Sequence, residues 1–137
     1  MKPKKILFET LEGKKSERTP WVPFVGCHGG KLINVDAKTY LQNEDLIVNG
    51  ISKAIELYEP DGIPVIFDLQ VEAEILGCDL KWNKDNPPTV IGHPLNENKK
   101  LSELNIPQED QGRFPIILNA MKKINIDFKN VKSINNY

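Results

Sequence analysis

The sequence has little cysteine and histidine, no long apolar run and no excess of charge of either sign. Two cysteines, Cys27 and Cys78, are too few for a disulfide scaffold, so we expect a cytoplasmic protein with reduced thiols. No apolar stretch approaches the roughly 18 residues of a membrane helix, and Ile6–Phe8 is too short for a signal-peptide core. These absences argue against a secreted disulfide-rich domain and against a membrane-spanning protein.

The charges are nearly balanced, with 18 basic and 19 acidic residues and a net charge of −1. Proteins that bind nucleic acid or anionic membranes usually carry a basic surface, so we expect neither partner. Hydrophobic residues make up 39% of the 137 residues and charged residues 27%, which is typical of a folded protein. This length indicates one domain.

The first half of the sequence alternates strand-like and helix-like segments. The apolar run 19–26, which contains proline and glycine near its ends, predicts a short buried strand, and Cys27–Gly30 should form the following loop. Asp36 and Asn43 are suited to cap a short and a longer helix. Ile63–Phe67 is β-branched and continuous, which predicts a strand that is buried on both faces.

The second half contains weaker signals. We predict a short helix at Val71–Leu76, a small strand at Leu80–Trp82, a helical turn around Leu101, and a helix from near Asp110 with Pro115 in its first turn. The order is strand, helix, strand and helix, followed by a stretch of short elements from Leu80 to Leu104, called the excursion, and a last helix. This order predicts the beginning of a parallel α/β fold.

Residues 125–137 differ from the rest of the chain because Asn, Lys and Ile dominate them. We therefore predict a boundary between a domain at 1–124 and a tail at 125–137. Two interpretations of the tail stay open. It forms a short edge strand at Ile126 and Phe128, or it is AT-rich sequence that is translated out of frame.

Asp68 is the strongest candidate for a functional residue. A carboxylate at the C-terminal end of a buried parallel strand lies where α/β folds place ligands and catalytic groups. Glu72 follows four residues later and should lie near the same end of the strand. Alternatively, Asp68 caps the next helix or accepts a hydrogen bond from a turn, and Glu72 is a solvated carboxylate in the first turn of that helix.

Cys27 and His28 follow the first predicted strand and offer a thiol and an imidazole. A metal site there would need a further ligand, such as His93 or Cys78, to converge on them. The segment Gly29–Lys31 resembles neither a phosphate loop nor a dinucleotide fingerprint, although its backbone N–H groups could face an anion.

The segment Pro64–Leu80 carries a family resemblance. It reads Pro-Val-Ile-Phe-Asp-Leu-Gln-Val-Glu-Ala-Glu-Ile-Leu-Gly-Cys-Asp-Leu. It resembles the second-strand region of the uroporphyrinogen decarboxylase superfamily, in which a strand ends in an aspartate and a short helix closing in Leu-Gly follows. Gly112–Pro115, which reads Gly-Arg-Phe-Pro, is similar to the family's Gly-Arg-x-Pro helix. The Glu-Ala-Glu run resembles the methylcobalamin:coenzyme M methyltransferase-like branch more than the decarboxylases.

This resemblance implies a (β/α)8 TIM barrel of which the chain supplies only the N-terminal βα units, since a full barrel needs roughly 250 residues. Asp68 matches the family aspartate that contacts pyrrole N–H groups, so we predict it to be catalytic. His28, Lys31 and Glu72 are predicted to bind substrate. Decarboxylases carry Arg-Gln-x-x-Arg after the first strand, whereas Gly26–Lys31 contains no arginine. The resemblance therefore favours methyl transfer from a corrinoid to a thiol.

The resemblance also sets expectations for cofactors and partners. The methyltransferase branch binds zinc through His and Cys residues of the later half of the barrel, so we expect no cofactor in this chain. Zinc and a corrinoid protein would serve the full-length parent. We expect a truncated or split piece that is inactive alone and associates through the open edge of the barrel. The alternatives are a carboxy-lyase acting on a carboxylated tetrapyrrole or smaller ligand, and a non-catalytic binding module.

Overall fold

The computed structural model describes the backbone of residues 3–133 and the side chains of residues 3–125. The described part is a mixed α/β structure with one small sheet. Its helices are α1 (Pro3–Leu11), α2 (His28–Leu32), α3 (Ala37–Tyr40), α4 (Glu44–Tyr58), α5 (Val71–Ile75) and α6 (Phe114–Ser133), its strands are β1 (Asp79–Lys81) and β2 (Thr89–Gly92), and two 3₁₀ helices cover Pro94–Glu97 and Leu101–Glu103.

Helix α4 is the centre of the hydrophobic core. Asn43 caps it as predicted, because its side-chain oxygen accepts a hydrogen bond of 3.1 Å from the backbone N–H of Leu46. The apolar residues at helical spacing form its buried face, with Ile47, Ile51 and Ala54 fully removed from water. Helix α4 ends at Tyr58.

Helices α2 and α3 pack against α4. Asp36 caps α3 as predicted, accepting a 3.0 Å hydrogen bond from the N–H of Thr39. The prediction of a loop at Cys27–Gly30 is wrong, because α2 begins at His28. Two glycines have little helix propensity, but they let the backbone of α2 approach the ring of Tyr40 and the backbone of α4. Tertiary packing therefore overrides the local preference.

The two predicted buried strands are absent as strands in the part of the chain that the structure describes. Residues 19–25 and 63–67 run without regular secondary structure, and the sheet of the described residues contains only β1 and β2. A strand assignment needs a ladder of backbone hydrogen bonds with a neighbour. Pro20, Pro23 and Pro64 lack the backbone N–H group, which removes donors from both segments.

The same two segments nevertheless lie side by side and run in the same direction. The N–H of Asp61 donates a 2.9 Å hydrogen bond to the carbonyl of Trp21. One residue further on, Gly62 faces the side chain of Val22, and at the far end Gly26 faces Phe67. Partners whose numbers increase together define a parallel course.

The sheet pairs β1 with β2 in antiparallel fashion, with Leu80 opposite Val90 and an irregularity between Asp79 and Leu80. Strand β1 confirms the predicted small strand, whereas β2 was not predicted. Its apolar residues, Val90 and Ile91, are only two and are enclosed by Pro88 and Gly92, so the sequence offers little alternation.

Helix α6 follows the excursion and packs on α4. It begins at Phe114 with Pro115 in its first turn, as predicted, and buries Ala120 and Ile124 in the core. The prediction of an edge strand at Ile126 and Phe128 is wrong, because α6 continues through both positions to Ser133. Residues 134–137 of the predicted tail lie outside the described residues, and the out-of-frame interpretation stays a hypothesis.

Candidate functional site

Asp68 lies at the end of the second parallel-running segment, with its side chain completely buried. Its carboxylate is fully engaged. Oδ1 accepts a 2.9 Å hydrogen bond from the N–H of Gln70, and Oδ2 lies 2.7 Å from Nη1 of Arg113. Asp68 therefore accepts a hydrogen bond from a turn, as one interpretation predicted, whereas the capping interpretation is wrong, because Gln70 is the residue before α5 and that helix has no side-chain capping hydrogen bond. The predicted position at a strand end is wrong in the strict sense, because residues 63–67 form no ladder.

Arg113 joins this carboxylate to a second one. Its side chain is only 6% exposed, and its Nε donates a 2.6 Å hydrogen bond to Glu74 in α5. Its guanidinium also lies over the ring of Trp82, 4.9 Å from the ring centroid. A buried guanidinium is tolerated when carboxylates and an aromatic face surround it. Asp68, Glu74, Trp82 and Arg113 are called the Arg113 cluster below.

The Arg113 cluster unites the parts of the sequence that carried the family resemblance. Asp68 ends the strand-like run, Glu74 is the second glutamate of Glu-Ala-Glu, and Arg113 belongs to Gly-Arg-Phe-Pro. The sequence spacing between Asp68 and Arg113 is 45 residues, and their side chains are in direct contact. The two segments that carry the resemblance therefore meet in a pair of ionic contacts with Arg113.

Sequence reasoning did not select Arg113 as a site residue. One signal was present, because the chain contains only two arginines, Arg18 and Arg113. Arg18 makes a bidentate contact with Asp61, at 2.6 and 2.8 Å, so each arginine pairs with a buried aspartate. The two aspartates lie at opposite ends of the 61–68 segment. Arginine suits such pairs since its fork of donors matches a carboxylate.

Cys27 is the residue after the first parallel-running segment, and it lies close enough to Asp68 for their charges to interact. Burial raises the pKa of the Cys27 thiol, and the negative charge of Asp68 raises it further. A thiol in this setting stays protonated at neutral pH and is a poor nucleophile. Cys27 therefore acts as a packing residue in the core.

His28, a predicted substrate-binding residue, faces a different part of the molecule. Its Nε2 lies 2.7 Å from the hydroxyl of Tyr58 at the end of α4, and the two rings stack with centroids 6.0 Å apart. Tyr58 in turn contacts Trp21 edge to face. Both members of the hydrogen-bonded pair are exposed to solvent.

Lys31 and Glu72, the other predicted substrate-binding residues, are exposed. Within the described residues, no hydrogen bond or ion pair connects Asp68 to His28, Lys31 or Glu72. The contacts of Asp68 are with Arg113 and the Gln70 backbone instead. Whether these residues contact a substrate stays a prediction.

The described residues do not fit a resident zinc ion. Among them, no group of three or more His, Cys, Asp or Glu side chains is arranged to hold a metal. One ring nitrogen of each histidine already has a protein partner. Nε2 of His28 is hydrogen-bonded to the hydroxyl of Tyr58, and Nδ1 of His93 accepts a 3.2 Å hydrogen bond from the N–H of Leu95. From residue 3 to residue 133, no helix combines the length and apolarity needed to cross a membrane.

Comparison with known proteins gives consistent matches. The family model of uroporphyrinogen decarboxylase (URO-D) matches residues 2–134. A methylated-thiol–coenzyme M methyltransferase of Methanosarcina mazei is 37% identical over 70 residues, which is 49% of this chain and 19% of the relative. A uroporphyrinogen decarboxylase of Wolbachia sp. subsp. Brugia malayi is 28% identical over 92 residues, which is 67% of this chain and 25% of the relative.

Among solved structures, a methyltransferase from Methanosarcina mazei superimposes with a TM-score of 0.78 at 22% sequence identity. The match covers 93% of this chain and 39% of that structure. The likeness establishes a shared fold for the matched part. Across these comparisons, the chain spans between 19% and 39% of the length of the proteins it matches.

Proposed function

Because the chain belongs to the uroporphyrinogen decarboxylase (URO-D) family, we propose that it supplies the N-terminal βα units of a (β/α)8 barrel enzyme. We propose further that the parent enzyme transfers a methyl group from a corrinoid to a thiol. A barrel of this type needs roughly 250 residues and places its site at the C-terminal ends of its strands. The activity belongs to the parent, and the 137-residue chain alone is inactive.

The parallel course of residues 21–26 and 61–67 supports the barrel. Neighbouring strands of a (β/α)8 barrel are parallel, and a helical layer covers their outer face. Here the side chains of Val25, Ile63, Val65 and Ile66 pack against the helical core, while Phe24 and Phe67 are exposed and contact each other with ring centroids 4.9 Å apart. The segments are thus suited to become the first two strands when neighbours supply the missing backbone partners.

The charge around Asp68 favours methyl transfer over decarboxylation of a substrate with many carboxylates. The cation in contact with Asp68 is Arg113, and it already faces two carboxylates, those of Asp68 and Glu74. A substrate with many carboxylates needs free cations at the rim, and this cluster offers an excess of negative charge instead. Methyl transfer to a thiol does not require a set of cations that bind several carboxylates. The relative with the higher identity is named as a methylated-thiol–coenzyme M methyltransferase.

Two chimeric enzymes test the proposal. Residues 2–124 are joined to the C-terminal remainder of the Methanosarcina mazei methyltransferase in one and of the Wolbachia decarboxylase in the other. Methyl transfer to coenzyme M and loss of carboxyl groups from uroporphyrinogen are measured, with each remainder alone as the control. We expect turnover in the methyltransferase chimera and none in the decarboxylase chimera, which lacks the arginines for the substrate.

The opposite pattern, decarboxylation without methyl transfer, would establish the alternative carboxy-lyase. Failure of both chimeras, together with a sharp thermal transition of a monomeric 137-residue chain, would favour the free-standing binding module. A stable complex between the chain and a separately expressed remainder of the barrel would show that the open edge is used for association, as in a split enzyme.

A further inference from the structure

We propose that Arg113 is a positioning residue that fixes the carboxylate of Asp68 at the site of the parent enzyme. The inference rests on the proposed function. It gives a role to Arg113, which was predicted neither as a catalytic nor as a substrate-binding residue. Arg113 does not touch substrate in this account. It acts through Asp68.

The geometry leaves Asp68 one orientation. Its Oδ2 is held at 2.7 Å by Arg113 and its Oδ1 at 2.9 Å by the N–H of Gln70, so rotation about the side-chain bonds breaks at least one contact. A buried carboxylate that is held by a charged donor and a backbone donor is pre-organised, which catalysis requires of groups at a reacting centre.

Arg113 is itself fixed by three neighbours. Glu74 accepts from its Nε at 2.6 Å, the Trp82 ring covers its guanidinium, and the Leu41 carbonyl lies 3.5 Å from Nη1. Gly112 precedes it with a φ of 53°, a left-handed conformation that favours glycine. The turn before α6 therefore places the guanidinium of Arg113 where the Leu41 carbonyl, the Glu74 carboxylate and the Trp82 ring fix its position.

One donor of Arg113 is left over. Nη2 is buried and has no hydrogen-bond partner among the described atoms. Buried donors in native proteins are almost always paired, so an unpaired one points to an acceptor that the described residues do not supply.

Amide hydrogen exchange in the full chain tests the hold on Asp68 directly. The N–H of Gln70 reports on the Asp68 carboxylate that it bonds. We expect Arg113→Met to accelerate exchange at Gln70 by about tenfold or more, since local opening becomes easier when the carboxylate loses its partner. Arg113→Lys, which keeps the charge and loses the fork, should give an intermediate rate.

Arg18→Met is the matched control, because it removes an arginine that pairs with the buried Asp61 at the other end of the same segment. It should leave Gln70 exchange within about twofold of the unmodified chain, as its effect is confined to its own neighbourhood. Equal acceleration by Arg113→Met and Arg18→Met would overturn the proposal, because the effect would then be general loosening.

The methyltransferase chimera supplies the functional readout. Arg113→Met and Asp68→Asn should each lower kcat with little change in KM, and their combination should be no worse than the stronger single change. Additive effects, or a change in KM alone, would overturn the positioning role. If the unmodified chimera shows no turnover, the proposed function fails, while the exchange measurement still decides whether Arg113 holds Asp68.

Discussion

At the scale of single residues, the pairing of Asp68 with Arg113 removes two opposite charges from water together. Breaking such a pair leaves one uncompensated buried charge, which costs far more than the net stabilisation by the intact pair. The side chain of Asp68 is completely buried and that of Arg113 is 6% exposed, so solvent cannot replace the lost partner. The two residues therefore respond to substitution very differently from an exposed ion pair.

We predict that Arg113→Met lowers the free energy of unfolding by about 3 kcal/mol, the cost of a stranded buried carboxylate. Thermal or urea denaturation of the full chain measures this change. Lys53→Met, which removes an exposed ion pair with Glu56 in α4, should cost less than about 1 kcal/mol. Equal losses in the two variants would show that the Arg113 contacts do not stabilise the fold.

Tyr40 presents the opposite situation. Its hydroxyl is buried beside Gly29 without a hydrogen-bond partner among the described atoms, and burial raises the pKa of Tyr40 far above its ordinary value. We predict that Tyr40→Phe keeps or increases stability, by up to about 1 kcal/mol, because the change removes an unsatisfied buried group. A clear drop in the denaturation midpoint would reveal a hydrogen bond that the hydroxyl makes in solution.

At the scale of secondary-structure elements, the contact between α2 and α4 depends on Gly50. A side chain there would place its Cβ 2.6 Å from the carbonyl oxygen of Gly29 and from a ring carbon of Tyr40. We predict that Gly50→Ala destabilises the chain by about 2 kcal/mol, although alanine is the better helix former. Asn49→Ala, at an exposed neighbouring position, is the control and should be neutral or stabilising in the same denaturation experiment.

Ion pairs between charged side chains link α4 to α6. Lys123 bridges Glu44 and Asp45 at 2.6 Å each, and hydrogen bonds from Lys123 and Asn119 lower the pKa of Glu44. A carboxyl with a lowered folded-state pKa stabilises the fold above its unfolded pKa, and this stabilisation is lost as the pH falls through the folded value.

We therefore predict that stability falls on acidification below the ordinary pKa of glutamate, and that Glu44→Gln makes the acid limb shallower. Denaturation midpoints between neutral pH and pH of about 3 measure the slope. Glu56→Gln, which alters an exposed pair within α4, is the control and should leave the slope nearly unchanged. An identical slope in the Glu44 variant would show that this bridge does not contribute.

The helices whose caps and apolar spacing lie in consecutive residues were predicted correctly, whereas the loop predicted at Cys27–Gly30 was not. Asn43 and Asp36 cap their helices, and the apolar spacing from Ile47 onwards gives α4, because capping and amphipathic period are written in consecutive residues. Strands depend on neighbours that are distant in sequence. Residues 63–67 have the composition of a buried strand and yet form no ladder, since Pro64 and the prolines of the neighbouring segment 19–25 remove backbone donors.

The candidate site was predictable only in part, for the same reason. Asp68 was selected by its position after an apolar run; the structure shows that it is buried, and its catalytic role stays a prediction. Arg113 was missed, because its contact with Asp68 joins residues that are 45 apart and no local pattern announces it. His28 was predicted from its neighbours in sequence, but the helix that begins there turns its ring towards Tyr58.

At the scale of the whole molecule, the two parallel-running segments have one covered and one open side. Val25 and Val65 pack under the helices, whereas Phe24 is 67% exposed and Phe67 is 41% exposed, and the rings of these two residues contact each other. Exposed apolar side chains that contact each other favour association with another polypeptide. In the proposed barrel, the following βα units cover this side.

We predict that the purified chain self-associates with increasing concentration, and that Phe24→Lys reduces this association by placing a charge on the open side. Sedimentation velocity over a concentration series measures it. Leu101→Lys is the matched control, because Leu101 is 75% exposed in a 3₁₀ helix of the excursion and should leave association unchanged. If Phe24→Lys and Leu101→Lys reduce association equally, general surface hydrophobicity is the cause. If neither does, the open side of the segments is not an interface, and the structural argument for completing a barrel there is lost.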